Sequence, residues 1–333
     1  MKTKIIAEVG INHNGNFKKA IRLIDLAKKA GADIVKFQIF EPELMVTSYA
    51  KKAGYQKKNS KDNEKQISML KKYTLTNNEH SKLYDYCKKK KIIYSASAFD
   101  LRSAEFLVGL KVKIIKIPSG EITNYPLIKF LSKFKNNLVL STGMSSLNEV
   151  KECVNLLIKN SFPKKRLSIL YCCSSYPAPQ EDIDINVMKE LSKTFNLKIG
   201  ISDHSDFLES TLAAVSNGAT IVEKHFTLNR LSNGPDHKSS FEFKKFKEMT
   251  KSIKIINSLF KSGKKNIKKS EIENRKISRK SIVANQKISK GEIFTQKNLT
   301  TKRPGTGITP MKWNKIIGKK SKYNFDKDDQ IKI

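Results

Sequence analysis

Short runs rich in Ile, Val and Leu alternate with amphipathic stretches through the first 260 residues of the chain. The runs predict strands at Ile5–Glu8, Ile34–Ile39, Ile92–Ala96, Ile114–Ile117, Leu138–Ser141, Leu167–Tyr171, Lys198–Ile201 and Ile221–Glu223. Between them, apolar positions recurring at helical spacing predict helices such as Phe17–Ala30, Glu79–Lys90, Ser146–Asn160, Phe207–Asn217 and Phe241–Phe260. Gly31 and Gly218 stand where helix C-caps are expected, each followed by Ala and then a strand. Eight strand–helix units in this length have the size and rhythm of a (β/α)₈ barrel, so an α/β barrel is the expected fold. A doubly wound open sheet is the other arrangement of such units, but it rarely needs eight of them.

The pattern breaks in two places. After Ile39 the chain passes through Tyr49-Ala50-Lys51-Lys52-Ala53-Gly54-Tyr55-Gln56 and a short helix before the next barrel helix, too long a connection for a simple βα loop. Such loops are commonly active-site lids. The stretch 261–276 is polar, Lys-rich and without apolar periodicity, which reads as a linker after a barrel domain at 1–260. Beyond it, 277–333 forms a small second domain, with strands expected at Ser281–Ala284 and Lys287–Ile293 around a turn at Lys290-Gly291. The loop Arg303-Pro304-Gly305-Thr306-Gly307 and a terminal stretch around Trp313 and Ile316-Ile317 follow. A domain this small is expected to lean on another surface for stability.

Composition changes this picture only at the surface. The 333 residues carry 65 Lys+Arg against 31 Asp+Glu, a formal charge of +34, which raises the question of nucleic acid. Only seven of the cations are Arg, the residue that reads phosphate and guanine in two-pronged fashion, and the lysines are dispersed along outer helix faces. Neither nucleic acid nor membrane is therefore an expected partner. The N-terminal MKTKIIAEVG has the pattern of neither a signal nor a transit peptide, and cytoplasmic localisation is expected. Cys87, Cys153, Cys172 and Cys173 form no CxxC pair; Cys87 and Cys153 read as core thiols.

Catalytic groups of such barrels sit at the C-terminal ends of the strands. All eight ends are polar: Glu8 with Asn12-His13-Asn14; Lys36 and Gln38; Ser95 and Ser97; Lys116 with Ser119, Glu121 and Asn124; Ser141-Thr142; Ser174-Ser175-Tyr176; Ser202-Asp203-His204; and Glu223-Lys224-His225. Barrel interiors favour Val, Ile and Leu, and buried charge is costly unless paired or used, so the set marks a site. Lys36 and Lys116, with Ser97, Ser119, Ser141, Ser174 and Ser202 around them, suit a compact polyanion such as a phosphate with a carboxylate. His204 and His225 stand on neighbouring strands, placed to hold one metal ion, with Mn²⁺ or a similar borderline cation expected. His13 and His237 are candidate substrate contacts; His80, in a helical stretch, is expected at the surface.

These residues carry a resemblance. Glu8-Val9-Gly10-Ile11-Asn12-His13-Asn14-Gly15, Lys36-Phe37-Gln38, Lys116-Ile117-Pro118-Ser119-Gly120-Glu121, Ser141-Thr142-Gly143-Met144 and Tyr176-Pro177-Ala178-Pro179 resemble the sialic (nonulosonic) acid synthase family. So do Ser202-Asp203-His204, Glu223-Lys224-His225-Phe226-Thr227 and Gly234-Pro235-Asp236-His237. The resemblance spans essentially the whole chain, with a C-terminal segment similar to the antifreeze-like (SAF) domain.

The resemblance implies condensation of phosphoenolpyruvate with an N-acylated mannosamine-type sugar, giving a nine-carbon 2-keto acid and inorganic phosphate. It implies Lys36, Ser97, Lys116, Ser119, Ser141, Ser174 and Ser202 as phosphoenolpyruvate-binding residues. Gln38, Glu121, Tyr176 and Asp236 would bind the sugar, Glu8, Lys36, Lys116 and Glu223 would be catalytic, and His204 and His225 would hold Mn²⁺, Mg²⁺ or Co²⁺. Arg303 would reach the sugar's acyl group from a partner subunit, in a homodimer with a swapped SAF domain. The metal would polarise the aldehyde toward attack by C3 of phosphoenolpyruvate, water would add at C2, and phosphate would leave by C–O cleavage.

Two stretches depart from the family pattern, Ser95-Ala96-Ser97-Ala98-Phe99-Asp100 and Cys172-Cys173-Ser174-Ser175. Lys36-Phe37-Gln38, Ala53-Gly54-Tyr55-Gln56 and Gly234-Pro235-Asp236-His237 look more like the legionaminic branch, implying 2,4-diacetamido-2,4,6-trideoxymannose ahead of N-acetylmannosamine. The competing readings are a barrel aldolase using Lys36 or Lys116 as Schiff-base nucleophile, and a nucleic-acid-binding protein carried by the charge.

Overall fold

The computed structural model describes residues 2–59, 65–261 and 263–333. Residues 60–64, within the expected lid, and Ser262, within the expected linker, lie outside them, as do the side chains of Tyr55, Lys58 and Asn59. The chain divides into two compact units, Met1–Lys261 and Ser262–Ile333.

In the first unit, eight parallel strands close into a barrel: β1 (Lys4–Gly10), β2 (Ile34–Ile39), β3 (Ile93–Ala98), β4 (Ile114–Ile117), β5 (Asn137–Ser141), β6 (Leu167–Cys172), β7 (Lys198–Asp203) and β8 (Ile221–His225), with β8 pairing back onto β1. The helices between them form where the apolar stripe and caps coincide. Phe17–Ala30 begins at Asn16, whose side chain accepts from the Lys19 amide, and ends at Gly31, whose φ of +97° is the left-handed cap only glycine adopts freely. Ser146 and Glu149 form a capping box for Leu147–Lys159.

Two apolar layers result. Outward residues such as Val35, Phe37, Ile115, Ile117, Leu138, Leu140, Ile201 and Val222 pack beneath the helices. Inside the barrel, Ile6, Ile34, Ile114, Val139, Leu170 and Ile221 fill the lower half as a plug. Gly200 belongs to that plug: a Cβ there would collide with the Ile221 carbonyl and the Leu170 side chain.

Most strands run past the ends that the apolar runs predict. β1 extends to Gly10, β3 to Ala98, β7 to Asp203 and β8 to His225. Hydropathy falls there because the side chains turn polar, but the backbone ladder continues, pairing Glu8 with Lys36 and with His225, and Ser202 with Glu223. The β2–β3 connection carries helices Pro42–Met45, Gly54–Asn59 and Gln66–Lys71; Met45 of the first and Met69 and Leu70 of the third belong to a satellite core with Ile11 and Phe40.

Two expectations need correction. His80 is not at the surface: it is 1% exposed, on the inner stripe of helix Asn77–Lys89 with Leu83 and Cys87. Its Nδ1 lies 2.9 Å from the Tyr94 hydroxyl and its ring meets Phe37 edge-on. In the second unit, β9 (Ser281–Ala284) pairs antiparallel with β10 (Leu299–Lys302), not with Lys287–Ile293. The latter segment turns at Gly291 (φ +88°), and Ile288 and Ile293 make only isolated bridges, to Phe325 and Lys320. Residues Ile272–Ser278, across the end of the expected linker, form a short helix that buries nothing. Ile282, Ile288, Phe294, Leu299, Ile316, Phe325 and Ile331 make up a separate small core. No helix among the described residues is long and apolar enough to cross a membrane.

Candidate active site

Above the plug, a cavity of about 510 Å³ opens at the C-terminal ends of the strands. Several strands place a polar residue two positions beyond a plug residue, as Ile34 to Lys36, Ile114 to Lys116 and Val139 to Ser141, because alternate side chains share one face. Glu8, Lys36, Gln38, Ser97, Lys116, Ser119, Ser141, Ser174, Tyr176, Ser202, His204, Glu223, His225 and Asp236 all line this cavity. The lid adds Met45, Ala53, Gly54, Gln56, Gln66 and Leu70.

Four candidates fall elsewhere. The Glu121 carboxylate accepts from Asn124 Nδ2 at 2.6 Å, within the cap of the following helix, and is not a lining residue. His13 and His237 are buried in the connections that follow β1 and β8. His13 Nδ1 accepts from the Gly15 amide, and His237 bonds Thr227 Oγ1 and Asn14 Oδ1, so both brace loops and neither meets the cavity. Arg303 belongs to the second unit.

The two lysines are not bare cations. Lys36 Nζ lies 2.8 Å from Glu8 Oε2, 2.9 Å from Ser97 Oγ and 3.7 Å from Glu223 Oε1. Lys116 Nζ donates to both Glu223 oxygens at 2.8 and 2.9 Å, and Ser202 Oγ donates to Glu223 Oε1 at 2.9 Å. The carboxylates divide by surroundings. Burial pushes Glu223 upward, but Lys116 and Lys36 outweigh it and hold the group down at about 2. For Glu8, burial prevails over Lys36, raising it to about 7, and burial likewise lifts Asp236 to about 6. Burial lowers the Lys116 ammonium from its ordinary range while Glu223 pulls it back.

The serine hydroxyls line the same cavity. Ser119 Oγ accepts from the Gly143 amide at 3.0 Å, and Ser141 Oγ is buried without any hydrogen-bond partner. A Cβ at Gly143 would strike both the Ser119 and Ser174 hydroxyls, so the backbone there must stay bare. An unpaired hydroxyl beside buried ammonium groups is a donor set awaiting oxygen ligands.

The imidazoles form a second centre, with ring centroids 5.4 Å apart. His204 Nδ1 lies 2.8 Å from the Cys173 carbonyl; since a carbonyl only accepts, Nδ1 carries the proton and Nε2 is left as the basic nitrogen. Tyr176 stacks on this ring at 4.1 Å. Burial, with His204 and Lys36 nearby, pushes His225 well below the ordinary imidazole value, so its ring is neutral. Its Nδ1 is buried without a partner. Two neutral-capable imidazoles, one with an orphaned nitrogen, fit a divalent cation whose remaining ligands would be water or substrate oxygens. No cluster of three or more His, Cys, Asp or Glu among the described residues forms a complete metal cage.

Cys172 is the lining residue that the strand-end reading missed. It is buried, with Sγ 3.7 Å from His204 Nδ1 and 3.9 Å from Ser174 Oγ. Its position two residues beyond Leu170 of the plug was the available signal. By contrast, Cys87 and Cys153 are core thiols, pushed up to about 12 by burial.

A model of the NeuB family matches residues 23–265, and a model of the SAF domain matches residues 279–333. An N,N'-diacetyllegionaminic acid synthase of Campylobacter jejuni is 43% identical over 331 residues, covering 99% of each chain. A protein of the same description from Legionella pneumophila is 37% identical over 96% of this chain and 91% of its own. Among solved structures, an N-acetylneuraminic acid (sialic acid) synthetase from Leptospira borgpetersenii aligns with a TM-score of 0.70 at 30% identity, covering 82% of this chain and 90% of that one.

Proposed function

This chain belongs to the NeuB family, and from that premise we propose that it condenses phosphoenolpyruvate with open-chain 2,4-diacetamido-2,4,6-trideoxymannose. The products are a nonulosonic acid of the legionaminic type and inorganic phosphate. The observation that carries the reading is a convergence. Two ammonium groups, five serine hydroxyls and two imidazoles, drawn from β2 through β8 and the turns after them, line one cavity. The identity to the two legionaminic acid synthases supports this sugar over N-acetylmannosamine.

The residues divide the work. Lys36 and Lys116 face the phosphate and carboxylate, with Ser97, Ser119, Ser141, Ser174 and Ser202 donating to their oxygens. Gln38, Tyr176 and Asp236 line the same cavity and would bind the sugar. A divalent cation, Mn²⁺ before Mg²⁺ or Co²⁺, held by His204 and His225, would supply Lewis acidity toward the sugar's carbonyl. A C–C bond forms between C3 of phosphoenolpyruvate and the aldehyde carbon, water adds at C2, and the C2–O bond to phosphate breaks with its electron pair on phosphate. Of the water's two protons, one ends on the new hydroxyl and one on phosphate. Glu8, held near neutrality, is suited to carry one of them, while Glu223, held ionised, keeps both lysines charged and in place. Arg303, from the second unit of a partner in a homodimer, would contact the acyl group.

Phosphate release from phosphoenolpyruvate with a panel of acylated hexosamines tests this. Release with the diacetamido sugar, abolished by chelator and restored by Mn²⁺, is expected; no release with any sugar would sink the reading, and an adduct trapped by borohydride would favour a Schiff-base aldolase. Arg303→Ala should raise the apparent KM for sugar about tenfold with kcat little changed, the loss of one charge-assisted contact. An unchanged KM would remove the swapped domain from the proposal.

A further inference from the structure

The apolar layer between strands and helices carries a charged intrusion. Outward positions along β7 and β8 are Ile199, Ile201 and Val222 until Asp203 and Lys224, which are 3% and 0% exposed and paired across the two strands. Lys224 Nζ lies 3.0 Å from Asp203 Oδ2, donates to the Ser205 carbonyl at 2.7 Å and to Ser205 Oγ at 3.1 Å, and sits 4.3 Å from the centre of the Phe241 ring. Asp203 also accepts from the Ser205 amide at 2.9 Å, from Ser210 Oγ at 2.7 Å and from Thr211 Oγ1. Neither residue lines the cavity, so neither meets substrate.

A buried pair of this kind is commonly no more stabilising than well-packed apolar side chains of similar volume, and its neighbours on the same strands are apolar. Its position suggests what it does. Asp203 immediately precedes His204 and Lys224 immediately precedes His225, so the charged pair ties the two backbones together on the face opposite the imidazoles. The Phe241 amide, beneath the Lys224 ammonium, donates to the His225 carbonyl at 2.8 Å, which anchors the second ligand to the same assembly. All three Lys224 protons are used, and both Asp203 oxygens are engaged, so the arrangement permits little slack.

We propose that the Asp203–Lys224 pair is a positioning clamp that sets the separation of His204 and His225 and thereby the affinity of the cation site. The proposal rests on the reading of those two imidazoles as metal ligands. It is tested by titrating the full-length protein with MnCl₂ and following free Mn²⁺ by electron paramagnetic resonance, at a temperature where circular dichroism shows each variant folded. Asp203→Asn and Lys224→Met should weaken Mn²⁺ binding about 10- to 100-fold, the range of outer-sphere partners at metal sites. Metal-free binding of phosphoenolpyruvate, measured by calorimetry, should stay within about twofold, since of the lysines and serines of its cradle only Ser202 lies on β7 or β8. If either variant fails to fold, Thr211→Val, which removes a single donor to Asp203 at nearly constant volume, should still weaken Mn²⁺ several-fold. Mn²⁺ affinity equal to wild type in the folded variants, whatever their melting temperature, overturns the clamp alone. Wild-type protein that binds no Mn²⁺, or that binds it equally well as His204→Ala, overturns the metal reading and the clamp with it.

Discussion

Two residues along the same strands separate Ile34 from Lys36, Ile114 from Lys116, Leu170 from Cys172 and Ile221 from Glu223, and across that step the barrel interior changes character. Below it, the plug is held by burial and close packing, which are local and tolerate exchange of one hydrocarbon for another of similar volume. Above it, the interior is held by ions that must be matched one to one, since a buried charge left alone costs several kcal/mol. The lower half could be rebuilt with other apolar side chains without consequence for chemistry. The upper half has little such freedom, because the groups that balance each other are those left facing the cavity.

That contrast can be broken by substitution. The largest effect belongs to Lys116→Met, which strips Glu223 of its nearest partner. Stability should fall by about 3 kcal/mol and phosphate release by at least about 100-fold. Adding Glu223→Leu should return most of the stability, read by urea denaturation, and none of the activity. Recovery of activity would mean that the upper layer is packing after all. Leu170→Ala, in the plug, should cost about 2–5 kcal/mol yet leave the folded fraction turning over at the wild-type rate.

The smallest effect is set by pH. His80, buried and neutral, is lowered to about 4 by burial, against an ordinary 6.5 in the unfolded chain. The unfolded chain therefore takes up the proton first as pH falls. The His80 contribution is complete above pH 6.5, down by about 2 kcal/mol at pH 5, and lost once pH drops through 4. His80→Gln should flatten the acid limb of stability by about one proton's worth of slope, measured by denaturation between pH 5 and 7. An unchanged slope would place the titration elsewhere.

The barrel was legible because strands buried on both faces read as continuous apolar runs, and the plug residues Ile34, Ile114 and Ile221 begin such runs. The site was legible by the same pattern failing: polar residues at every strand end have no structural excuse as a set. Pairing was less visible. Lys36 and Lys116 look like free cations in the sequence, and only the closed ring brings Glu223 within reach of both. The burial of His80 is hidden in the sequence because its helix is mostly polar, and the narrow inward stripe of His80, Leu83 and Cys87 does not outweigh the charged residues around it. The Lys287–Ile293 segment has a strand-like composition, but its partners, Phe325 and Lys320, are contributed by the far end of the chain, which no local pattern reports.

The ring of ions also bears on how the chain assembles. Lys116 and Glu223 are 107 residues apart, and Glu8 meets Lys36 on one side of the seam where β8 closes onto β1. With seven strands in place, Glu223 would still be missing and both lysines would face a half-dry interior with too little negative charge. A barrel lacking β8 would gain little by excluding water from its upper half. Closure and charge neutralisation become a single event, which makes the barrel cooperative from a part of the molecule that hydrophobic collapse alone would leave loose.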